Sequence, residues 1–129
     1  MTKRTLKAHQ MGCGIDVVEL KRFQQAMRRG GRRFLNRLFT AAEQRYAATH
    51  ATKAERLAAR FAVKEAVIKA LAQVEPRRVL AMPQIEVRND AVGRPSVRVH
   101  GWPGRLPELH ISLSHTQQLA VACAIAIRR

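Results

Sequence analysis

Leu57-Ala58-Ala59-Arg60-Phe61-Ala62-Val63-Lys64-Glu65-Ala66-Val67-Ile68-Lys69-Ala70-Leu71 decides how this chain folds. The stretch is rich in Ala and Leu and has no Gly or Pro, so it reads as an interior helix. At about 100° per residue, Leu57, Phe61 and Ile68 share one face and Val63, Val67 and Ala70 another. Apolar residues thus occur at most angles, and the helix must pack on several sides. Glu65 and Lys69 form an i, i+4 pair set among small side chains, and Arg60 and Lys64 form a like-charged one. The simplest reading of Glu65 is a solvated bridge to Lys69, worth only a few tenths of a kcal/mol. A carboxylate buried in such a helix needs a counter-charge or a metal ion instead.

Outward from this helix, the chain alternates on its N-terminal side. In Gly12–Val18, Cys13, Ile15 and Val17 fall on one side and Gly14 and Asp16 on the other, which predicts a strand. Asp16 is an acid in a β-segment, where Asp is disfavoured. Glu19–Arg29 reads as a helix stopped by Gly30-Gly31, followed by a short helical turn over 32–39. Thr40-Ala41-Ala42-Glu43 matches a capping box and predicts a helix from Ala41. The central helix spans Lys53 to about Gln73. Val74–Pro83 breaks it.

On the C-terminal side, Gln84–Arg88 and Ser96–Val99 read as the strands of a hairpin, joined by the turn residues Asn89 to Pro95. His100–Glu108 is a loop. Leu109–Leu113, with Leu109, Ile111 and Leu113 inward, and Leu119–Ile127 read as two further strands. One strand, then helices, then antiparallel strands is an α+β order, an antiparallel sheet packed against a long central helix. At 129 residues and 47% hydrophobic content the chain is long enough for one cored domain. Residues 1–11 read as a flexible basic arm and 12–129 as the domain.

The formal charge is +15, from 24 basic and 9 acidic side chains, which calls for an acidic partner. Between Glu19 and Thr49 eight cations face two acids, so positive charge gathers on the early helices. No run is long and apolar enough to span a bilayer as a helix. Cys13 and Cys123 are far apart in the sequence, have no metal-binding spacing, and are expected as small buried residues in a reducing compartment.

Asp16 and Glu65 are two acids in apolar elements. If they converge, both cannot stay charged at neutral pH without a cation. Mg²⁺ fits, since it takes oxygen ligands and often uses one or two carboxylates plus phosphate oxygens. Lys64 and Lys69 beside Glu65 would neutralise those phosphates. Ser112-Leu113-Ser114-His115-Thr116 closes a strand with hydroxyls and an imidazole that can hold a phosphate. A Ser-His nucleophile pair is rejected there, because adjacent strand residues point apart.

Five segments, in order, resemble the holo-[acyl-carrier-protein] synthases, the small 4'-phosphopantetheinyl transferases. They are Gly14-Ile15-Asp16-Val17-Val18-Glu19 with Arg22; Phe39-Thr40-Ala41-Ala42-Glu43; Arg60-Phe61-Ala62-Val63-Lys64-Glu65-Ala66 with Lys69-Ala70; Asn89–Pro95; and Ser112–Thr116. The resemblance implies that family's fold and its reaction. Phosphopantetheine passes from coenzyme A to a serine of apo-acyl carrier protein, and 3',5'-ADP leaves. It implies Mg²⁺ at Asp16 and Glu65, and Lys69 on the phosphates near the scissile bond. Arg60, His115 and Thr116 would hold the 3'-phosphate side of the nucleotide, Lys64 and Ser114 would join them in binding coenzyme A, and the Asn89–Pro95 turn, with Gly93 and Pro95, would lie near the adenine. Arg22, Lys21 and Arg28 would dock the acidic carrier protein. It further implies a cytoplasmic homotrimer with sites between subunits, acting on neither membrane nor nucleic acid.

Two other readings compete. A nucleic-acid-binding module accounts for the charge but not for the two acids, and with 5% aromatic residues stacking platforms are scarce. A carrier-binding paralogue without catalysis would not need intact acids and lysines.

Overall fold

The computed structural model describes residues 10–129. Strand β1 (Met11–Glu19) leads into helix α1 (Leu20–Leu38), α2 (Ala41–Ala48) and α3 (Lys53–Val74). A 3₁₀ turn precedes the strands β2 (Ile85–Asn89), β3 (Pro95–Val99), β4 (Glu108–His115) and β5 (Leu119–Ile127). The expected α+β architecture is present. β1, β5 and β4 form one antiparallel sheet in that order, and β2 and β3 form a separate hairpin. Of the expected arm, the first nine residues lie outside the described ones. Met11, assigned to the arm, belongs to β1 and pairs with Ile127.

Small residues let α3 lie close against the sheet. The inner face of β5 is Ala120, Ala122, Ala124 and Ala126, all buried, and α3 answers with buried Ala58, Ala62, Ala66 and Ala70. β1 contributes Gly12 and Gly14. A Cβ on Gly14 would stand 2.0 Å from the Ala66 carbonyl oxygen, and one on Gly12 2.0 Å from that of Ala70. Only hydrogen fits at those two positions. Leu57, Val63, Val67, Leu71 and Val74 fill the space to either side, so the helix is covered around most of its girth as its sequence demands.

The alternation of β1 places its residues on the expected sides, but the apolar side is not the one facing α3. Gly12, Gly14 and Val18 are buried, whereas Met11, Cys13, Ile15 and Val17 are exposed on the outer face. Cys13 is therefore exposed and Cys123 half-buried, both as free thiols on that face, in place of the buried positions expected. The sheet keeps its glycines and alanines for the close seam and turns its larger side chains outward.

The helices are joined as the sequence predicts, with one difference. α1 continues past Gly30-Gly31 as a kinked helix, the break falling at Gly31, where φ is +55°. Phe23 of α1 meets Phe61 of α3 at 5.7 Å and Phe34 at 5.8 Å between ring centroids, which seats α1 on α3. Thr40 and Glu43 form the capping box of α2. Glu43 also accepts the Val87 amide of β2 at 3.0 Å and the Lys64 ammonium of α3 at 2.6 Å, tying three elements together. Among the described residues no helix is long and apolar enough to cross a membrane.

Candidate active site

The seam between β1 and α3 brings Asp16 and Glu65 to one cleft. Together with Glu19, Arg22, Phe23 and Phe61 they line a cavity of about 520 Å³. Burial pushes the Glu65 carboxyl up, and the Asp16 charge pushes it further, against the opposing pull of Lys69. The Asp16 charge disfavours a charged Glu65, and a cation between the two would favour both carboxylates. Among the described residues no cluster of three or more His, Cys, Asp or Glu makes a complete cage. Two carboxylates open to a cleft suit a hard ion that also takes ligand oxygens.

Lys69 does not bridge to Glu65 along the helix. Its ammonium turns to β1, donating to the Ile15 carbonyl at 2.9 Å and standing 3.5 Å from Asp16 Oδ1. Its side chain is half-exposed while that of Asp16 is largely covered. One turn later Gln73 donates to the Cys13 carbonyl and accepts its amide, both at 2.9 Å. The free edge of β1 is thus bonded by two side chains of α3, which fixes Asp16 opposite Glu65.

Lys64 is corrected by the structure. Its side chain is wholly buried on the other side of α3. It donates to Glu43, to the Leu38 carbonyl at 2.8 Å and to the Met82 carbonyl at 3.1 Å, so all three hydrogens are used within the fold. It has none left for a phosphate.

A second cavity, of about 740 Å³, gathers most of the residues expected to hold the nucleotide. Arg60, Gly93, Pro95 and His115 line it, with Tyr46, Arg56 and Asn89. Asp90 shapes the hairpin turn by accepting the Val92 and Arg94 amides at 3.0 and 2.9 Å, and Gly93 turns there at φ +83°. Ser114 and Thr116 lie outside this wall; the Thr116 hydroxyl accepts the Gln118 and Leu119 amides in the turn into β5. Tyr46 and Arg56 were not anticipated. The signal for Arg56 was its i, i+4 spacing to Arg60, a like-charged pair on one helix face.

The two cavities do not merge within one chain. Arg60 and Glu65 are five residues apart on α3, so they point about 140° apart. Lys21, Arg22 and Arg28 are exposed on the first turns of α1, and Arg22 borders the cleft of the two acids.

Known proteins share this sequence pattern and fold. The family model described as the 4'-phosphopantetheinyl transferase superfamily matches residues 12–125. The chain is 42% identical to the holo-[acyl-carrier-protein] synthase of Thermodesulfovibrio yellowstonii, over 88% of this chain and 96% of that one. It is 41% identical to the synthase of Koribacter versatilis, over 89% and 96%. It is also similar to the crystal structure of a holo-(acyl-carrier-protein) synthase from Bacillus anthracis in complex with CoA (3',5'-ADP), with a TM-score of 0.76 at 32% identity, covering 92% of this chain and 96% of that one. With the family motifs standing at the two cavities and a match along nearly the whole described chain, this protein belongs to the 4'-phosphopantetheinyl transferase superfamily.

Proposed function

We propose that this chain is a holo-[acyl-carrier-protein] synthase whose chemistry is centred on Asp16, Glu65 and Lys69. The observation that carries this reading is the meeting of Asp16 and Glu65 in one cleft, with the Lys69 ammonium 3.5 Å from Asp16. A serine hydroxyl of apo-acyl carrier protein attacks the β-phosphorus of coenzyme A in line. A new phosphorus–oxygen bond forms to serine as the bond to the departing 3',5'-ADP breaks, and the serine proton is lost. Little covalent work falls to the protein, so positioning and charge neutralisation dominate.

Asp16 and Glu65 would hold Mg²⁺. The donor set fits, because a cation relieves both the repulsion between the acids and the burial of Glu65. When bound, that ion supplies positive charge at the diphosphate. Lys69 adds a fixed ammonium on the same side. Among this chain's own groups, Glu65, beside that ion, is the one that would accept the serine proton.

Arg60, His115 and the Gly93–Pro95 turn take the nucleotide end of coenzyme A in the second cavity. Since Arg60 and Glu65 diverge on α3, a neighbouring copy has to supply one half of each complete site. The exposed outer sheet face, with Met11, Ile15 and Val17 each more than half exposed, supports a homotrimer closed through that face. Lys21, Arg22 and Arg28 offer the acidic carrier protein a cationic approach beside the acid pair. The free thiols suit a reducing, cytoplasmic setting.

The test is incubation with coenzyme A, Mg²⁺ and a panel of apo-carrier proteins, read by intact mass. The expected result is the addition of one phosphopantetheine to at least one carrier. No addition to any of them would overturn the reading.

A further inference from the structure

Gly101-Trp102-Pro103-Gly104 opens the loop before β4, and none of it lines either cavity of the candidate active site. The loop is anchored. Gln84 accepts the Ala81 amide at 2.8 Å and donates to the His100 carbonyl at 3.2 Å, and Gly101 and Gly104 turn at φ +72° and +75° on either side of Trp102 and Pro103. The Trp102 indole is half-buried against the core. With Pro103, Leu106 and Pro107 it lines a cavity of about 660 Å³ at the Glu108 end of β4. The 740 Å³ cavity holds His115, at the other end of that strand, about 23 Å away at 3.3 Å per residue.

Cations outnumber acids around this cavity. Arg78, Arg105, Arg128 and Arg129 line it against Glu75 and Glu108. Both acids are taken: Arg128 donates to Glu75 at 2.7 Å and Arg129 to Glu108 at 2.8 Å. Among the described residues Arg78 and Arg105 form no ion pair. The Arg78 guanidinium lies 6.0 Å from the centroid of the Trp102 ring, so a cation and an apolar plane stand together. An arginine fork matches a carboxylate, and this wall already makes that match twice. Carboxylates on either side of an apolar side chain would complete the set. A bilayer is met by side chains that protrude into it, not by a hollow. Single-stranded nucleic acid is met by successive stacking rings, and one aromatic ring lines this cavity.

We propose that this cavity is a docking site for an acidic peptide segment of a partner protein, whose apolar side chain rests on Trp102 while its carboxylates meet Arg78 and Arg105. Exposed ion pairs are weak singly, so the seated apolar side chain supplies much of the affinity and the arginines supply the selectivity. The site stands apart from the transfer reading, since it shares no lining residue with the acid pair's cleft or the nucleotide cavity. A partner seated here leaves both of those open and holds the enzyme beside another protein while transfer continues.

Trp102 is the only tryptophan of the chain, so its emission reports on this cavity. The test titrates the full chain with a short synthetic peptide of Asp and Glu around one Leu, and with its counterpart in which Asn and Gln replace the acids. The acidic peptide is expected to change the emission saturably and to bind about tenfold tighter than the amide one, with the advantage shrinking as salt is raised. Replacing its Leu by Gly should weaken binding about tenfold. In the chain, Arg78→Met together with Arg105→Met should raise the Kd for the acidic peptide about tenfold, as read by calorimetry, while circular dichroism and phosphopantetheine transfer stay within twofold of the unaltered protein. Should the double variant fail to fold, each single variant is measured in its place, with about a threefold rise expected. No saturable change, equal binding of the two peptides, or an unaltered Kd in the arginine variants would overturn the proposal. Tighter binding of a single-stranded oligonucleotide or of anionic phospholipid vesicles at Trp102 would overturn it as well, by giving the cavity to another class of partner.

Discussion

The Lys69 ammonium stands 3.5 Å from Asp16 Oδ1, and the same group donates to the Ile15 carbonyl at 2.9 Å. The lysine of α3 is held by the backbone of β1 before any substrate arrives. Asp16, in turn, is kept facing the helix that bears Glu65. Asp16 lies off the exposed outer face of the sheet and shares one cleft with Glu65 of α3.

Asp16→Ala and Glu65→Ala should each lower transfer by at least about a hundredfold, the scale found when one preorganised electrostatic group is lost from a reaction centre. The fold should survive, since neither acid belongs to the buried core. Intact mass of the carrier after timed incubation measures the first effect and circular dichroism the second. Chelation of divalent cations should stop the unaltered enzyme, with recovery on adding Mg²⁺. Full activity of either variant in excess Mg²⁺ would refute the metal assignment.

Lys64→Ala should act on stability before it acts on chemistry. It leaves Glu43 charged and buried without its partner and strips donors from the Leu38 and Met82 carbonyls. Breaking a buried pair from one side costs about 3–5 kcal/mol. Urea denaturation should show the midpoint falling by that amount of stability. Under conditions where the variant is folded, its KM for coenzyme A should stay near that of the unaltered chain.

Gly14→Ala should be destabilising despite adding a single methyl. Its Cβ would stand 2.0 Å from the Ala66 carbonyl oxygen and 2.9 Å from the Lys69 Cβ, so strand and helix must part. Overpacking of this kind costs about 1–3 kcal/mol. A thermal melt should register it. Because the shift separates β1 from the turn of α3 that carries Glu65, kcat should fall as well. A variant with unchanged melting and unchanged kcat would show that the seam is looser than these distances state.

Arg22→Glu should raise the KM for apo-carrier protein more than the KM for coenzyme A. Arg22 is exposed beside the acid pair and lies on the helix where cations gather. The difference should shrink as salt is raised, because exposed charges are screened over about 10 Å at 0.1 M ionic strength. Steady-state kinetics in both substrates at two salt concentrations checks it. Equal effects on both KM values would remove Arg22 from carrier docking.

Much of this was legible in the amino-acid order because it depends on local rules. The Thr40–Glu43 cap, the period of α3 and the alternation of the strands each follow from neighbours in sequence, and each is present. The convergence of Asp16 and Glu65 could be suspected from their apolar settings, but it takes Gly12 and Gly14 against Ala66 and Ala70 to produce it. What periodicity could not show is which side of a strand meets the helix. In β1 the bulky side faces out, because close approach to α3 admits only small residues, so Cys13 was assigned to the wrong environment. Lys64 was misread for a related reason. It stands next to Glu65 in sequence, but adjacent helical residues point about 100° apart, and its partner Glu43 lies 21 positions away. Tyr46 escaped notice because its meaning lies wholly in what α3 and the hairpin turn bring to it.

The bonding of Lys69 and Gln73 to β1 also guards against misassembly. A bare strand margin offers amides and carbonyls to any passing chain and is a common origin of aggregation. Here the helix occupies the Cys13 and Ile15 groups that would recruit a foreign strand. Lys69 therefore covers the strand margin as well as standing beside Asp16. A preparation of Lys69→Ala that clumps and shows little turnover has lost two things at once, and only its sedimentation behaviour, compared with that of Gln73→Ala, tells them apart.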